Sequence, residues 1–188
     1  MIKRVLAILG LSAPQAATAG PIERIDTWLA EHRPAYYEGL NPGVNDAALD
    51  ALAAQFDLVL PDAFRQLYLW RNGHSDYVAP SLVLNLQFPS LEALASTKTF
   101  LDDLIGYDFP DQGFWERSWV PFLENGGGDH LAFVADGSAS GGAVVMFYHD
   151  DPYRGERAGS LADWLEALAS SMEDGSYEVD GETFSTEQ

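Results

Sequence analysis

Cysteine is absent from the 188 residues, which excludes disulfides and thiolate metal ligands and leaves the fold to stand on packing alone. That absence is compatible with the cytoplasm. Basic residues are scarce, ten Lys and Arg against 29 Asp and Glu, for a formal charge of −19. Such a surface repels phosphate backbones and attracts basic partners, with association that weakens as salt rises. Direct nucleic-acid binding is therefore not expected, and the remaining readings of the charge are solubility alone or a protein partner. Apolar runs stay far below the ~18 residues of a membrane span. Catalytic signatures are missing as well. The chain has no HExxH pair, no GxSxG elbow and no phosphate-loop lysine, and its many carboxylates lack a pattern that selects an acid and a base. The expectation is a protein without catalysis, cofactor or metal.

What is present describes a folded chain. Apolar residues make up 47% and aromatics 12%, and a domain near this length buries roughly 70% of its unfolded surface. The acids are unevenly spread. After Arg157 no Lys or Arg follows, and between Lys98 and Arg117 lie Asp102, Asp103, Asp108, Asp111 and Glu116.

Local signals predict an α+β order. Ile22, Ile25, Trp28 and Leu29 form an apolar stripe that begins at Pro21 and closes at Pro34, and Asn45 or Asp46 caps a second helix through Phe56. Pro61 at a first helical turn and Gly73 as a left-handed cap bound a third, with Phe64, Leu67, Tyr68 and Arg71 at i, i+3, i+4, i+7. Residues 82–86 read as a short strand leading to a Ser90-capped helix from 91 to about 105. Strands are expected at 119–123, 130–135 and 143–149, separated by glycine-rich turns. Ser160 then caps a helix whose Leu161, Trp164, Leu165, Leu168 and Met172 face inward until Gly175, and Asp180-Gly181 favours a closing hairpin. The fold expected is one antiparallel or mixed sheet with helices packed on one side and N-terminal helices preceding it.

Three features compete for function. Asn125-Gly126-Gly127-Gly128-Asp129-His130 offers bare amides for an anion, but no Lys, Ser or Thr follows in a phosphate-loop arrangement, no helix opens after it, and Asp129 would oppose a phosphate. A wide turn is the reading. His130 and His149, with Asp129, Asp150 and Asp151, would come together if their strands pair, which allows a metal site without demanding one. The stronger lead is aromatic. Tyr36, Tyr37, Tyr77, Tyr107, Phe109, Phe114 and Trp115 are left over from the helix stripes, and with Asp108 and Asp111 they sketch apolar anchors in an anionic rim. The alternative for each ring is that it folds back to complete the core.

The run Leu60-Pro61, an aromatic-rich helix and Asn72-Gly73 resembles the SUKH superfamily, the Smi/Knr-type domain of fungal cell-wall regulators and bacterial toxin immunity proteins. Residues 22–29 and Leu40-Asn41-Pro42-Gly43-Val44 look like its first helix and the loop after it. Trp119-Val120-Pro121-Phe122, Gly128-Asp129-His130-Leu131 and Gly141-Gly142-Ala143-Val144 look like its strands, and Ser160-Leu161-Ala162-Asp163-Trp164-Leu165 like its closing helix. The likeness spans roughly residues 20–180. It implies one SUKH-like domain over 21–188 and an immunity-type role in which the acidic, aromatic surface neutralises a basic toxin domain. It implies as the alternative a regulatory or scaffolding role, and His130, His149 and the neighbouring Asp residues leave a metal-dependent enzyme as a third reading. Residues 1–20 imitate a secretory signal, with Lys3-Arg4, an apolar 5–11 and small residues up to Gly20. A leader helix or linker docking through Val5, Leu6, Ile8 and Leu9 is the favoured reading, in keeping with a cytoplasmic family.

Overall fold

The computed structural model describes residues 19–75, 79–109, 113–138 and 141–184, so the leader lies outside the described residues. Helix α1 (Pro21–His32) carries proline at its first position and buries Ile25, Trp28 and Leu29. Pro34 ends α1 as expected but also starts a five-residue helix, α2 (Pro34–Glu38), because its fixed φ suits a first turn. Strand β1 (Leu40–Pro42) leads to α3 (Asp46–Phe56), where the Asn45 side chain accepts from the Ala48 amide.

Helix α4 (Asp62–Trp70) buries Ala63, Phe64, Leu67 and Tyr68 on one face. Its limits differ from the expected Pro61 to Arg71 by one position at each end. Pro61 is the N-cap in extended conformation, and the helix stops at Trp70 because residues 71–74 pair with β1 as strand β2 (Arg71–His74). Gly73 is left-handed, φ 68, but for a tertiary reason: a Cβ there would meet the backbone of Pro89 and Ser90 at 2.4 Å. Asn72 secures that crossing by accepting the Leu91 amide at 2.7 Å. Residues 82–86 form isolated bridges rather than a strand, Val83 to Leu86 and Leu84 to Val179.

Helix α5 (Leu91–Asp103), capped by Ser90, runs along the first strand of the principal sheet. That sheet is antiparallel in the order β3 (Trp119–Glu124), β4 (His130–Val134), β5 (Val144–Phe147), β6 (Gly155–Ala158). Strand β6 has no counterpart among the expected strands. Its Gly-Glu-Arg-Ala sequence carries no β-branched or aromatic residue, and it is held by pairing with Val144, Val145 and Met146. Helix α6 (Leu161–Asp174) begins at Ser160, whose hydroxyl accepts the Asp163 amide, and ends at left-handed Gly175. The Asp180-Gly181 turn closes the hairpin β7 (Glu178–Val179) and β8 (Glu182–Thr183), with φ of 52° and 84° at its centre. The α+β architecture stands, with six helices among the described residues and the strands in one four-stranded and two two-stranded ladders.

The principal sheet is buried on both faces, which explains its near-continuous apolar strands. Val120, Phe122, Leu131, Phe133, Val144 and Met146 face the large core shared with α1, α4 and α6. Trp119, Ala132, Val145 and Phe147 face a second cluster completed by Leu101 and Trp115. Adjacent residues of β5 therefore serve different cores, as a period of two requires.

Candidate functional site

Between α5 and β3 the described residues form a long irregular loop in a stretch rich in Gly, Asp and aromatics. It is fastened at both ends by one lysine. The Lys98 ammonium donates to both Asp102 oxygens, at 3.2 and 3.1 Å, and to the carbonyls of Arg117 at 2.7 Å and Trp119 at 3.0 Å. Asp102 also accepts the Trp115 indole N–H at 2.9 Å. Lys98 is fully buried, and desolvation lowers its pKa from the usual 10.5 despite the opposing pull of Asp102. A lysine on the inward line Leu91, Leu94, Lys98, Leu101, with an acid four residues on, was the signal in the sequence for this anchor.

On that base the loop aromatics stack against the sheet. Phe147 receives Phe109, Phe114 and Trp115 at centroid distances of 5.8, 5.9 and 5.3 Å. The Arg154 guanidinium covers Phe114 and Phe147 at 4.4 and 4.5 Å, and its Nε donates to the Phe114 carbonyl at 2.9 Å. Burial lowers the Arg154 pKa. A tight turn projects from this platform. The Leu104 carbonyl accepts the amides of Tyr107, Asp108 and Phe109, which leaves the Tyr107 side chain 83% exposed beside exposed Asp108. Asp103 and Glu116 add exposed charge on either side, with Glu116 accepting the Gly113 amide.

The nine residues proposed as partner contacts separate accordingly. Tyr107 and Asp108 are at the surface, and Phe109 and Phe114 are half-buried supports. Trp115 is 2% exposed and Tyr36 4%; both rings complete the interior rather than project from it. Tyr36 lies beneath the Arg33 guanidinium at 4.3 Å, and half-buried Tyr37 donates to Asp26 and is covered by Arg71. These two tyrosines belong to the large core, away from the loop cluster. Tyr77 and Asp111 fall outside the described residues.

The glycine-rich segment is a turn held from within. The Asn125 side chain accepts the amides of Gly127 and Asp129 at 2.8 and 3.1 Å, which withdraws them from any anion. At its end Asp129 accepts both the His149 ring nitrogen, at 2.8 Å, and the His149 amide, at 3.1 Å. The Asp129 hydrogen bond raises the His149 pKa. Burial pushes the Asp129 carboxyl upward, but the bonds from His149 and Asn125 outweigh it and hold that group below its ordinary 3.8. Asp129, His149 and Asp150 place one donor atom each within 4.8 Å of one another, the set among the described residues able to hold a metal ion. His130 is not one of the three. It is buried, lies against Phe147, and desolvation lowers its pKa to about 4.

A second concave feature was not legible in the sequence. On the large-core side of the sheet an apolar groove of ≈ 470 Å³ opens between β4 and β5, α6 and residues 83–86. Trp164, expected to face inward, is half-buried there, edge-on to Phe122 at 5.1 Å. The residues that line the groove come from five separate segments, Arg157 of β6 among them, so no local pattern announces it.

N-terminal helices ahead of an antiparallel sheet, with a proline-capped aromatic helix buried in the large core, define an α+β protein. The model of the SMI1 / KNR4 family (SUKH-1) matches residues 43–167, more than half of the chain, and the chain belongs to that family. The match starts at Gly43, where a Cβ would meet the Leu69 carbonyl oxygen at 1.8 Å, and ends within α6. A comparison with the curated proteins finds no match. No helix of the described residues is long and apolar enough to cross a membrane.

Proposed function

We propose that this chain is a non-catalytic, protein-binding module of immunity type, in which one SUKH-like domain over residues 21–188 engages a basic toxin domain through the loop after α5. The observation that carries this reading is the Tyr107–Asp108 turn, an exposed aromatic and acid mounted on buried Phe147 and Trp115. A rigid support lowers the ordering cost of binding, and an aromatic in an acidic setting matches what interfaces with cationic clefts use. The charge of −19 disfavours a nucleic-acid partner and supports competition for a cleft that would otherwise hold a polyanion. The role places the protein in the cytoplasm, without membrane or cofactor, and residues 1–20 serve as a leader helix or linker.

The test begins with the neighbouring genes: a toxin domain encoded there supports the reading and supplies the partner, and an unrelated operon counts against it. Asp108→Lys together with Asp111→Lys should weaken binding by at least about tenfold and flatten its salt dependence, while the melting temperature stays near that of the parent. Unchanged affinity by calorimetry removes the loop from the interface. A regulatory or scaffolding role is the second reading, and the apolar groove on the other face of the sheet favours it.

A further inference from the structure

A pocket of ≈ 420 Å³ lies between α5 and the turn that joins β3 to β4, within the size range of sites that enclose ligand groups. Strand register builds it. Glu124 at the end of β3 stands opposite His130 of β4, and His130 stands opposite Phe147 of β5, so the three side chains form one row on one face of the sheet. Phe147 is the ring on which the loop aromatics Phe109 and Phe114 stack, and the His130 ring lies against it at 6.0 Å. Helix α5 supplies the facing wall through Thr97 and Phe100.

Two polar groups of this pocket lack the partners that burial calls for. The Glu124 carboxylate is half-buried, and among the described residues it has the Thr97 hydroxyl as its side-chain donor, at 3.4 Å, and no cation. Burial raises its pKa against the weaker pull of that hydrogen bond. His130 is 7% exposed and its Nδ1 is buried with no hydrogen-bond partner; Nε2, equally unbonded, is the ring nitrogen left open to the pocket. Because desolvation holds the His130 pKa at about 4, the ring is uncharged at neutral pH and keeps a bare acceptor nitrogen. Beside them the Phe100 ring is 62% exposed. Buried polar groups are ordinarily satisfied, and two that are not, next to an uncovered ring, point to an occupant.

The lining itself selects that occupant. Among the described residues Glu124 is the one charged group of the wall, and Lys98, next in sequence to Thr97, is turned away with its ammonium held by Asp102 and two carbonyls. One negative charge, a neutral acceptor and a ring face together suit a single cation that carries several N–H donors on an apolar stem. We infer that this pocket receives one lysine or arginine side chain of a protein partner. The charged head donates to Glu124 and His130, and the alkyl stem lies along Phe100, as basic side chains do on apolar surface. That the cation belongs to a protein rests on the protein-binding reading, since the pocket shares the Phe147 platform with the Tyr107–Asp108 turn. Recognition of the cation rests on the pocket alone.

Titration of the full chain, followed by the His130 ring signals in NMR, tests it. The probes are the N-acetyl methylamides of lysine, arginine and norleucine, the last having the stem without the charge, and cadaverine as an unattached diamine. At neutral pH and physiological salt, blocked lysine or blocked arginine should move His130 with millimolar affinity, and blocked norleucine should not. Glu124→Gln, which keeps the shape and removes the charge, should weaken that titration by at least about tenfold. Phe100→Ala, at an exposed position of α5, should weaken it by about threefold or more without touching a buried group; melting temperatures near the parent's show that both variants are folded. Asp150→Asn, in the neighbouring Asp129–His149 cluster, should titrate as the parent does. The proposal is overturned if His130 stays silent at tens of millimolar of both basic probes, if norleucine moves it equally, or if the response survives Glu124→Gln or vanishes in Asp150→Asn. Cadaverine binding at least about tenfold tighter than blocked lysine overturns the assignment to a protein side chain. Asp108→Lys should also titrate as the parent does, so a loop variant that loses the toxin bears on the loop alone, and a pocket blind to lysine leaves the loop result standing.

Discussion

Replacing Lys98 by methionine removes the charge while keeping most of the side-chain volume, and so isolates the electrostatic fastening of the long loop. Three oxygen-bearing groups lose their donor: the Asp102 carboxylate, which is 8% exposed, and the carbonyls of Arg117 and Trp119. Removing one member of a buried, hydrogen-bonded ion pair costs about 3–5 kcal/mol, because the partner charge stays buried without compensation. Here the Trp115 indole still donates to Asp102, which places the expected loss for Lys98→Met near the lower end, about 3 kcal/mol. For a chain of this length that corresponds to a fall in melting temperature of about 6–12 °C. Urea unfolding followed by far-ultraviolet circular dichroism measures it, with an unchanged slope to show that the unfolded state is the same. Adding Asp102→Asn to Lys98→Met neutralises the stranded carboxylate and should recover part of the loss, about 1 kcal/mol or more. A loss below about 1 kcal/mol for the single variant, or a double variant less stable than the single one, would refute the reasoning.

Two further outcomes follow from the geometry. Gly73→Ala forces a Cβ to 2.4 Å from the Pro89–Ser90 backbone in a left-handed conformation, so a destabilisation of about 3 kcal/mol is expected by denaturant titration; parent-like stability would mean that the β2 crossing is loose. By NMR, the two neighbouring imidazoles should titrate in opposite directions from 6.5, His130 at about 4 and His149 above 6.5. The unfolded chain takes up a proton at His130 before the folded chain does, so that residue withdraws stability as pH falls from 6.5 towards 4. His149 contributes stability that is full below 6.5 and is lost as pH rises through its raised folded value. A His130 midpoint near 6.5 would contradict its burial.

The elements legible in the sequence were those specified by neighbours along the chain. The Ser160 cap and Gly175 stop of the closing helix, the Asp180-Gly181 turn and the three apolar strands carry their own chemistry, and each formed where the pattern placed it. The misses were set by distant partners. Strand β6 exists because Val144 to Met146 offer it a ladder, and Gly73, left-handed as expected, lies in a strand rather than at a helix cap because residues 71–74 pair with β1. For the site, the aromatic and acidic content of the loop was visible, but which rings face water was not. Trp115 and Tyr107 differ little in type, and their opposite fates depend on Asp102 and Phe147, which accept the first and leave no place for the second. The groove assembles from five segments and was invisible at any single one.

The double-sided burial of the central sheet has a consequence for how this molecule can diversify. Because neighbouring positions of β5 belong to separate compartments, the strand acts as a partition wall, and substitutions that remodel the loop's footing at Phe147 need not disturb Met146 behind it. Substitutions behind the strand and in front of it are therefore absorbed by separate sets of neighbours. The same wall punishes displacement: a slip of one residue in so short a strand would exchange the contents of both rooms at once.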